Sequence, residues 1–345
     1  MKKVFRIFFI LTGFISFLQA QTWPAFPNLT GPYLGQKPPG DEPELFAPGI
    51  INTGMYTRDI AISPDGNEIY YCVTLPGFNF ATILYTKLEN GIWTAPEVVP
   101  NLDDPHYFYF EPHISHDGKK LFFLSNQPDP QAGDQEGGDE DIWVMDRLEG
   151  TWGKPYNLGA PVNTDSAEFY PSLTRSGTLY FTRTPKGTRN SYIYRSKLVA
   201  GRYAEPERLG AEVNSGQGQF NAFIDPDERY LIVPTAGRKD SFGGTDYYIV
   251  FRNPDDTWQA PVNLGDRINT KRGQEHSAYV SPDGQYFFFM SVRTPLDDES
   301  FAQKTTYDLL KTLYMSPRNG NPGIYWMRTD FIGQLRLQSG DKPNE

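Results

Sequence analysis

One short turn motif recurs along this chain at nearly constant intervals. Its first copy is Ser63-Pro64-Asp65-Gly66, which precedes the strand-like run Glu68-Ile69-Tyr70-Tyr71. The other copies begin at positions 115, 174, 225 and 281, and each is followed by three apolar or aromatic residues, so the steps are 52, 59, 51 and 56 residues. Each copy is typical of a hairpin turn between two strands. This period is that of one four-stranded propeller blade, and the sequence therefore predicts five blades.

The remainder of the unit repeats as well. Blade 2 shows it best, with a third strand at Asp141-Ile142-Trp143-Val144 and a fourth element that begins with Trp152-Gly153-Lys154-Pro155. The unit then closes with Leu158-Gly159 and Val162-Asn163-Thr164. Proline is tolerated in the fourth element because an outer edge strand has N–H groups that need no partner.

The fifth turn is not followed by such a closing segment. Matching residues stand instead near the front of the chain, at Pro43-Glu44-Leu45 and Ile51-Asn52-Thr53. We therefore expect the N-terminal segment to supply the outer strand of the last blade, which closes the ring without a free sheet edge. The predicted fold is all-β, a five-bladed β-propeller of four-stranded antiparallel blades that spans residues 43–328.

The repeat resembles the WD40-like β-propeller repeat of the TolB type in its exported bacterial form. The signature of that family is an acidic residue and proline, then Ser-Pro-Asp-Gly, an aromatic strand and an Asp-Ile-Tyr strand. Its leading part is matched by Glu111-Pro112-His113-Ile114-Ser115 and its trailing part by Asp141-Ile142-Trp143. The resemblance implies a fold rather than an activity, because such propellers serve as binding scaffolds, as domains of peptidases and as enzymes. Two copies depart from this signature: Thr174-Arg175-Ser176-Gly177, and the fourth copy, in which Glu228 stands in place of the turn glycine. We expect a different turn geometry there.

The ends of the chain carry other signals. Residues 1–20, with Lys2, Lys3 and Arg6 before an apolar run, have the layout of a cleaved signal peptide. Residues 21–42 form an N-terminal extension, and the tail 329–345 is too short for an appended peptidase domain. Within the fifth-blade insertion, residues 293–322, the stretch 300–315 has helical spacing, which predicts either a helix packed on the propeller side or a lid.

The leader predicts a periplasmic or secreted protein. Cys72 is the single cysteine and lies far from the cleavage region, so neither a lipid-attachment cysteine nor an internal disulfide is expected. Without the leader, 29 basic residues face 42 acidic ones, a formal net charge of -13. This charge argues against nucleic acid and anionic membranes as partners. We expect a monomer without a membrane span, whose partner is a carbohydrate or an envelope protein.

The candidate site residues lie just before each turn, where inner strands reach the central channel. Four positions ahead of the motifs stand polar or aromatic residues, and further polar residues lie beside them. The predicted ligand-binding set is Arg58, Asp59, Glu111, His113, Glu168, Tyr170, Gln219, Asn221, Glu275 and His276, with Ser277 completing the column in the fifth blade. Polar residues at the wet mouth of a propeller are also expected without any ligand.

Two catalytic alternatives stay open at this level. Asp59, Glu111 and Glu168 have the chemistry of the acid and base of a glycoside hydrolase. A polysaccharide lyase with a metal held by His113, Gln219 and His276 is the other, although the four histidines show no tight metal-binding spacing.

Two loops are further candidate binding sites. Residues 106–109, His-Tyr-Phe-Tyr, lead into the second inner strand and could stack on a sugar ring or simply pack. The acidic loop 127–141 is a candidate calcium site without the spacing of a known calcium motif, and we expect no cofactor. We predict an exported propeller that binds a carbohydrate, a peptide or an envelope protein at the channel mouth rather than one that catalyses. It would act within a cell-envelope assembly or a glycan-uptake system.

Overall fold

The computed structural model describes residues 25–129, 138–297 and 301–338. Within these ranges the chain is mostly strand and turn, with two α-helices, α1 (Tyr307–Tyr314) and α2 (Asp330–Gln338), and short 3₁₀ segments at Pro32–Gly35, Pro76–Phe78 and Pro295–Asp297. The strands, in chain order, are β1 (Glu44–Leu45), β2 (Tyr56–Ile62), β3 (Glu68–Thr74), β4 (Ala81–Glu89), β5 (Ile92–Trp93), β6 (Glu97–Val98), β7 (Tyr109–Ile114), β8 (Lys120–Ser125), β9 (Asp141–Leu148), β10 (Thr151–Trp152), β11 (Tyr156–Asn157), β12 (Ala167–Leu173), β13 (Leu179–Thr184), β14 (Tyr192–Ser196), β15 (Leu198–Val199), β16 (Arg202–Tyr203), β17 (Glu207–Arg208), β18 (Gly218–Gln219), β19 (Phe223–Ile224), β20 (Tyr230–Ala236), β21 (Thr245–Phe251), β22 (Val262–Asn263), β23 (His276–Val280), β24 (Tyr286–Ser291) and β25 (Gly323–Arg328).

These strands form five antiparallel sheets of four or five strands, which are the five blades, and a separate two-stranded hairpin, β15–β16, at the outside of blade 3. Blade 1 contains β2 to β6, blade 2 β7 to β11, blade 3 β12 to β14 and β17, blade 4 β18 to β22, and blade 5 β23 to β25 together with β1. The innermost strands contact one another in the order β2, β7, β12, β19, β23 and back to β2, so the blades form a ring. The five-bladed propeller predicted from the repeat is confirmed.

The N-terminal segment closes this ring, as the missing fifth closing segment predicts. Strand β1 pairs antiparallel with β25, with Glu44 opposite Trp326. Asn52 then clamps the same strand, because its side-chain amide donates to the carbonyl of Ile324 at 3.0 Å and accepts the N–H of Ile324 at 2.9 Å. Asn163 makes the equivalent pair of bonds to Ile142 within blade 2, at 2.8 and 3.1 Å.

The recurring turn is built by its own side chains. The hydroxyl of Ser63 accepts the N–H of Glu68 at 2.9 Å and the carboxylate of Asp65 accepts the N–H of Asn67 at 3.1 Å. Glu228 adopts a φ of 56° where the other copies have a left-handed glycine. Its N–H bonds the turn carbonyl at 2.8 Å as in the first copy, so the different turn expected at this position is wrong.

The fifth-blade insertion connects β24 to β25. Helix α1 begins after Thr306, whose hydroxyl accepts the N–H of Leu309 at 3.1 Å, and none of its side chains is buried. The predicted helix is present, and its apolar residues Leu309 and Leu313 are half-buried whereas Leu310 and Tyr314 are exposed. The segment after α1 is anchored to blade 1, because the side-chain amides of Asn319 and Asn321 donate to the carbonyl of Gly54 at 2.9 and 2.8 Å.

Some of the sequence predictions concern residues that the structure does not describe. The signal peptide, residues 1–20, and the end of the tail, residues 339–345, lie outside the described residues, as do residues 130–137 of the candidate calcium loop. Neither helix in the described ranges is long and apolar enough to cross a lipid bilayer.

Candidate functional site

Each blade has, in or beside its inner strand, one non-glycine residue whose backbone φ is positive. These residues have φ between 51° and 61°, and they are Asp59, Glu111, Tyr170, Asn221 and Ser277, the column that the repeat placed four positions before each turn. In four blades the strand pairing shifts its register at this point, and in blade 4 the residue lies between β18 and β19. Such strain persists only where neighbouring structure holds it.

Arg58 is the centre of a polar cluster that joins the bulges. Its Nε lies 2.7 Å from Oδ2 of Asp59, and its Nη2 donates to Oε1 of Glu111 at 3.0 Å. Asn221 also donates to Oε1 of Glu111, at 3.1 Å, and the hydroxyl of Ser277 donates to Asp59. One guanidinium thus compensates two carboxylates from adjacent blades.

The propeller axis is filled at this level. Tyr170 donates its N–H to Oε2 of Glu111 at 2.8 Å and its hydroxyl to the carbonyl of Ala278 at 2.8 Å. The remaining void measures about 10 Å³, which is at most the space of one water molecule. Burial raises the pKa of Glu111 to about 8, although the nearby charge of Arg58 opposes the rise. Asp59 and Glu111 therefore hold internal partners and face no space for a sugar ring.

Glu168, Gln219 and Glu275 cap the loops that lead into their own strands. In each case a side-chain oxygen accepts a hydrogen bond of 3.0–3.1 Å from a loop N–H, and the donors are Thr164, Gly216 and Thr270. All three caps are fully buried. Burial raises the pKa of Glu275 to about 7. The structure thus places these predicted ligand residues as loop caps, outside the Arg58 cluster.

The two histidines of the predicted set lie on opposite sides of the bulges. His113, two residues beyond the bulge of β7, accepts the N–H of Leu173 in blade 3 at 3.1 Å, and burial lowers its pKa to about 3. His276, one residue before the bulge of β23, packs edge-on against Phe220 at a centroid distance of 4.9 Å. Burial, and then the charge of Arg58, lower the pKa of His276 to about 3. One histidine bridges blades and the other lines the mouth.

Aromatic rings cover the mouth beside Arg58. Tyr56 at the start of β2 contacts Phe78 at a centroid distance of 5.2 Å, and Phe78 lies 6.5 Å from Phe110 of β7. Phe108 continues the row at 6.1 Å from Phe110, and the guanidinium of Arg58 lies 5.4 Å from the centroid of the Phe110 ring. Phe78 is 48% exposed, so the row offers ring surface to solvent.

Glu140 completes the mouth and was missed by sequence reasoning, which assigned it to the acidic loop. It directly precedes β9, and its carbonyl accepts the N–H of Glu168 at 2.7 Å. Desolvation raises the pKa of its carboxyl, and the charge of Arg58 opposes the rise. Phe78 and Phe110 were also missed, although the neighbouring run 106–109 already indicated stacking. The mouth therefore combines rings, one guanidinium and one carboxyl.

Comparisons with solved structures give matches of low sequence identity. TolB from Acinetobacter baumannii is 18% identical over 69% of this chain and 49% of that chain, with a TM-score of 0.44. A nidogen/laminin complex is 14% identical over 69% of this chain and 73% of that chain, with a TM-score of 0.42. The β-propeller domain of the trilobed protease from Pyrococcus furiosus is 14% identical over 69% of this chain and 64% of that chain, with a TM-score of 0.36. In fold, this chain is a five-bladed β-propeller. It spans about half the length of the TolB chain.

Other comparisons give no match. No protein-family model and no curated protein matches the sequence. In the part of the chain that the structure describes, no group of three or more His, Cys, Asp or Glu side chains is arranged to hold a metal ion.

Proposed function

We propose that this chain is an exported, non-catalytic propeller that binds a carbohydrate at the mouth of its channel. The observation that carries the proposal is the row of aromatic rings from Tyr56 to Phe108, with Arg58 beside Phe110. Ring faces stack on the apolar faces of sugars, and a guanidinium and a carboxyl beside them supply donors and acceptors for hydroxyl groups. The ligand comes from the cell envelope or from a glycan-uptake system.

The filled axis favours binding over catalysis. A glycosidase needs two carboxyl groups that flank the bond to be broken, with space for the sugar between them. Asp59 and Glu111 instead share Arg58 around a void of about 10 Å³. The observation that favours the enzyme alternative is the pKa of Glu111, which burial raises to about 8, a direction that suits a general acid. That alternative requires the cluster to open when ligand binds.

Export is part of the proposal and rests on residues 1–20. We expect the protein recovered from its native cell to begin at Gln21, which intact-mass measurement of the purified protein tests. Recovery of a chain that still begins at Met1 would contradict export by this leader.

Native mass spectrometry with a panel of neutral and acidic oligosaccharides tests the site. Phe78→Ala removes an exposed ring of the row, and we expect it to weaken binding by about two- to tenfold. Phe242→Ala is the matched control, because Phe242 is similarly exposed, at 44%, on the loop between β20 and β21, away from the row. Its affinity should equal that of the wild-type protein.

The outcomes separate the hypotheses. Intact glycan retained by the wild-type protein and lost in Phe78→Ala supports the proposal. A bound glycan of changed mass supports the enzyme alternative. Binding of peptides instead of glycans, or equal losses in Phe78→Ala and Phe242→Ala, contradicts a carbohydrate site at the aromatic row.

A further inference from the structure

The seam between blades 2 and 3 contains a pocket of about 810 Å³. It is lined by the turn motifs of both blades, Ser115 to Asp117 and Thr174 to Gly177, and by the outer hairpin of blade 3. Inner strands run from the mouth to these turns, so the pocket opens on the face opposite the aromatic row. A volume of this size lies within the range of small-ligand sites.

The adjacent seam, between blades 1 and 2, shows how a closed seam is built. Arg147 pairs with both carboxylate oxygens of Glu68 at 2.8 and 2.5 Å. The indole of Trp152 donates to the hydroxyl of Tyr70 at 2.9 Å, and the guanidinium of Arg147 lies 4.0 Å from the centroid of the indole ring. An ion pair, a hydrogen bond and a cation–π contact thus fill the seam with four side chains.

The strand register identifies the same four positions in the open seam. Lys120 and Phe122 are the first and third residues of β8, as Glu68 and Tyr70 are of β3. Leu198 pairs with Tyr203 across the outer hairpin of blade 3, as Arg147 pairs with Trp152 in blade 2.

At each of these four positions, the residue in the open seam cannot make the contact that its counterpart makes in the seam between blades 1 and 2. Lys120 and Leu198 cannot form the ion pair, and Phe122 lacks the hydroxyl that accepts the indole proton. Tyr203 is smaller than tryptophan. All four residues line the pocket, and Leu198 is left 40% exposed. The seam is open because these side chains leave space that one aromatic ring fills in the seam between blades 1 and 2.

The lining also carries positive charge. The lining contains three basic side chains, Lys120, Arg175 and Arg202, and one carboxylate, that of Asp117. The formal net charge of the whole chain, in contrast, is -10. Lys120 and Arg175 each pair with one aspartate outside the lining. Arg202 has no ion-pair partner among the described residues. An anionic group entering the pocket therefore meets an uncompensated guanidinium beside apolar walls.

We propose that the seam between blades 2 and 3 binds an aromatic group that carries or adjoins a carboxylate. The ring occupies the space between Phe122 and Tyr203, as an indole does in the preceding seam, and the carboxylate pairs with Arg202 and Lys120. Two sources supply this chemistry: a free aromatic acid, or an aromatic residue next to an acidic one in a peptide of a partner protein. This site is independent of the carbohydrate site at the mouth.

Calorimetric titration of the full mature chain tests the proposal with three probes. N-acetyl-tryptophan represents the free acid, N-acetyl-tryptophan amide is its uncharged match, and a capped Gly-Asp-Trp-Gly peptide represents the partner segment. The variant with Lys120→Glu, Phe122→Tyr, Leu198→Arg and Tyr203→Trp copies the closed seam. We expect it to bind the charged probes at least about tenfold more weakly than wild type while its thermal stability is kept or raised.

Single charge changes locate the carboxylate. Arg202→Glu should weaken the charged probes by about threefold or more, whereas Arg189→Glu, the same change at an exposed arginine outside the lining, should not. Tighter binding of the peptide than of the free acid identifies a partner protein as the source, and the reverse identifies a small molecule. The proposal is overturned if neither charged probe binds at about 1 mM, if the closed-seam variant binds as well as wild type, or if the amide binds as tightly as the acid.

Discussion

The hydroxyl of Ser277 in blade 5 donates a hydrogen bond to the carboxylate of Asp59 in blade 1. These residues are the left-handed bulges of the last and the first inner strand. Their contact joins the two ends of the ring at its axis, while the pairing of β1 with β25 joins them at the rim. The ring is therefore closed both inside and outside, by residues from opposite ends of the chain.

Asn52→Ala should weaken the closure at the rim. The buried side-chain amide satisfies both the N–H and the carbonyl of Ile324, and an unsatisfied buried group costs about 1–3 kcal/mol. We expect hydrogen exchange to accelerate in β25 and in β1. Asn163→Ala is the control, because it removes the same clamp within blade 2 and should accelerate exchange in β9 only. Similar exchange patterns in the two variants would contradict a closing role for Asn52.

Arg58→Met should destabilise the protein strongly, because Asp59 and Glu111 then remain buried without their cation. Loss of one partner from a buried ion pair costs about 3–5 kcal/mol. The difference in the free energy of unfolding between wild type and variant should be smaller at about pH 5 than at about pH 8, because a protonated carboxyl costs less to bury. Urea unfolding followed by circular dichroism at the two pH values measures this, with the exposed Arg189→Met as control. An equal loss at both pH values would refute the explanation.

Glu275→Gln should flatten the pH dependence of stability. Burial raises the pKa of Glu275 from 4.5 to about 7, so its contribution is complete below pH 4.5 and is lost as the pH rises through about 7. Glutamine cannot ionise, and Gln219 shows that the fold accepts it at this position in blade 4. Melting temperatures across this window should fall less steeply in the variant. The exposed Glu97→Gln serves as control, and parallel curves for wild type and Glu275→Gln would disprove the assignment.

His113→Gln should improve tolerance to acid. Burial lowers the pKa of His113 from 6.5 to about 3, so the stability that it contributes is complete above pH 6.5 and is lost as the pH falls toward 3. Glutamine keeps an acceptor for the N–H of Leu173 and takes up no proton. The acid-unfolding midpoint should move to lower pH than in wild type. His106→Gln, at an exposed position, should leave the midpoint where it is, and an unshifted midpoint in His113→Gln would rule out this role.

The fold and the central column could be predicted because both follow from the repeat. Counting back four residues from each turn identifies all five bulge residues. Their pairings could not be predicted in the same way, since Arg58 meets Glu111 and Ser277 across 53 and 219 positions of sequence. Whether a polar residue at the axis faces a ligand or another blade depends on those distant partners.

The spacing of threonine and glutamate in the sequence also indicates which carboxyl groups cap loops. Glu168 follows Thr164 by four residues and Glu275 follows Thr270 by five, and each threonine directly follows a closing asparagine. This recurrence marks a loop cap, and it distinguishes these carboxyls from Glu111, which has no such threonine before it. The open seam had no comparable signal, because its residues become neighbours only when two blades pack side by side.

The pairing of β1 with β25 also governs the order in which the molecule is made. Glu44 and Trp326 are 282 positions apart, so during synthesis the first strand emerges long before its partner exists. The four blades built from neighbouring strands can form as the chain grows, whereas blade 5 must wait for the last strand and then recruit the first. Until that step, the edge of β25 is an exposed template for strands of other chains. The pairing of β1 with β25 is therefore the last step in the assembly of this propeller. Until it occurs, the chain is most vulnerable to aggregation.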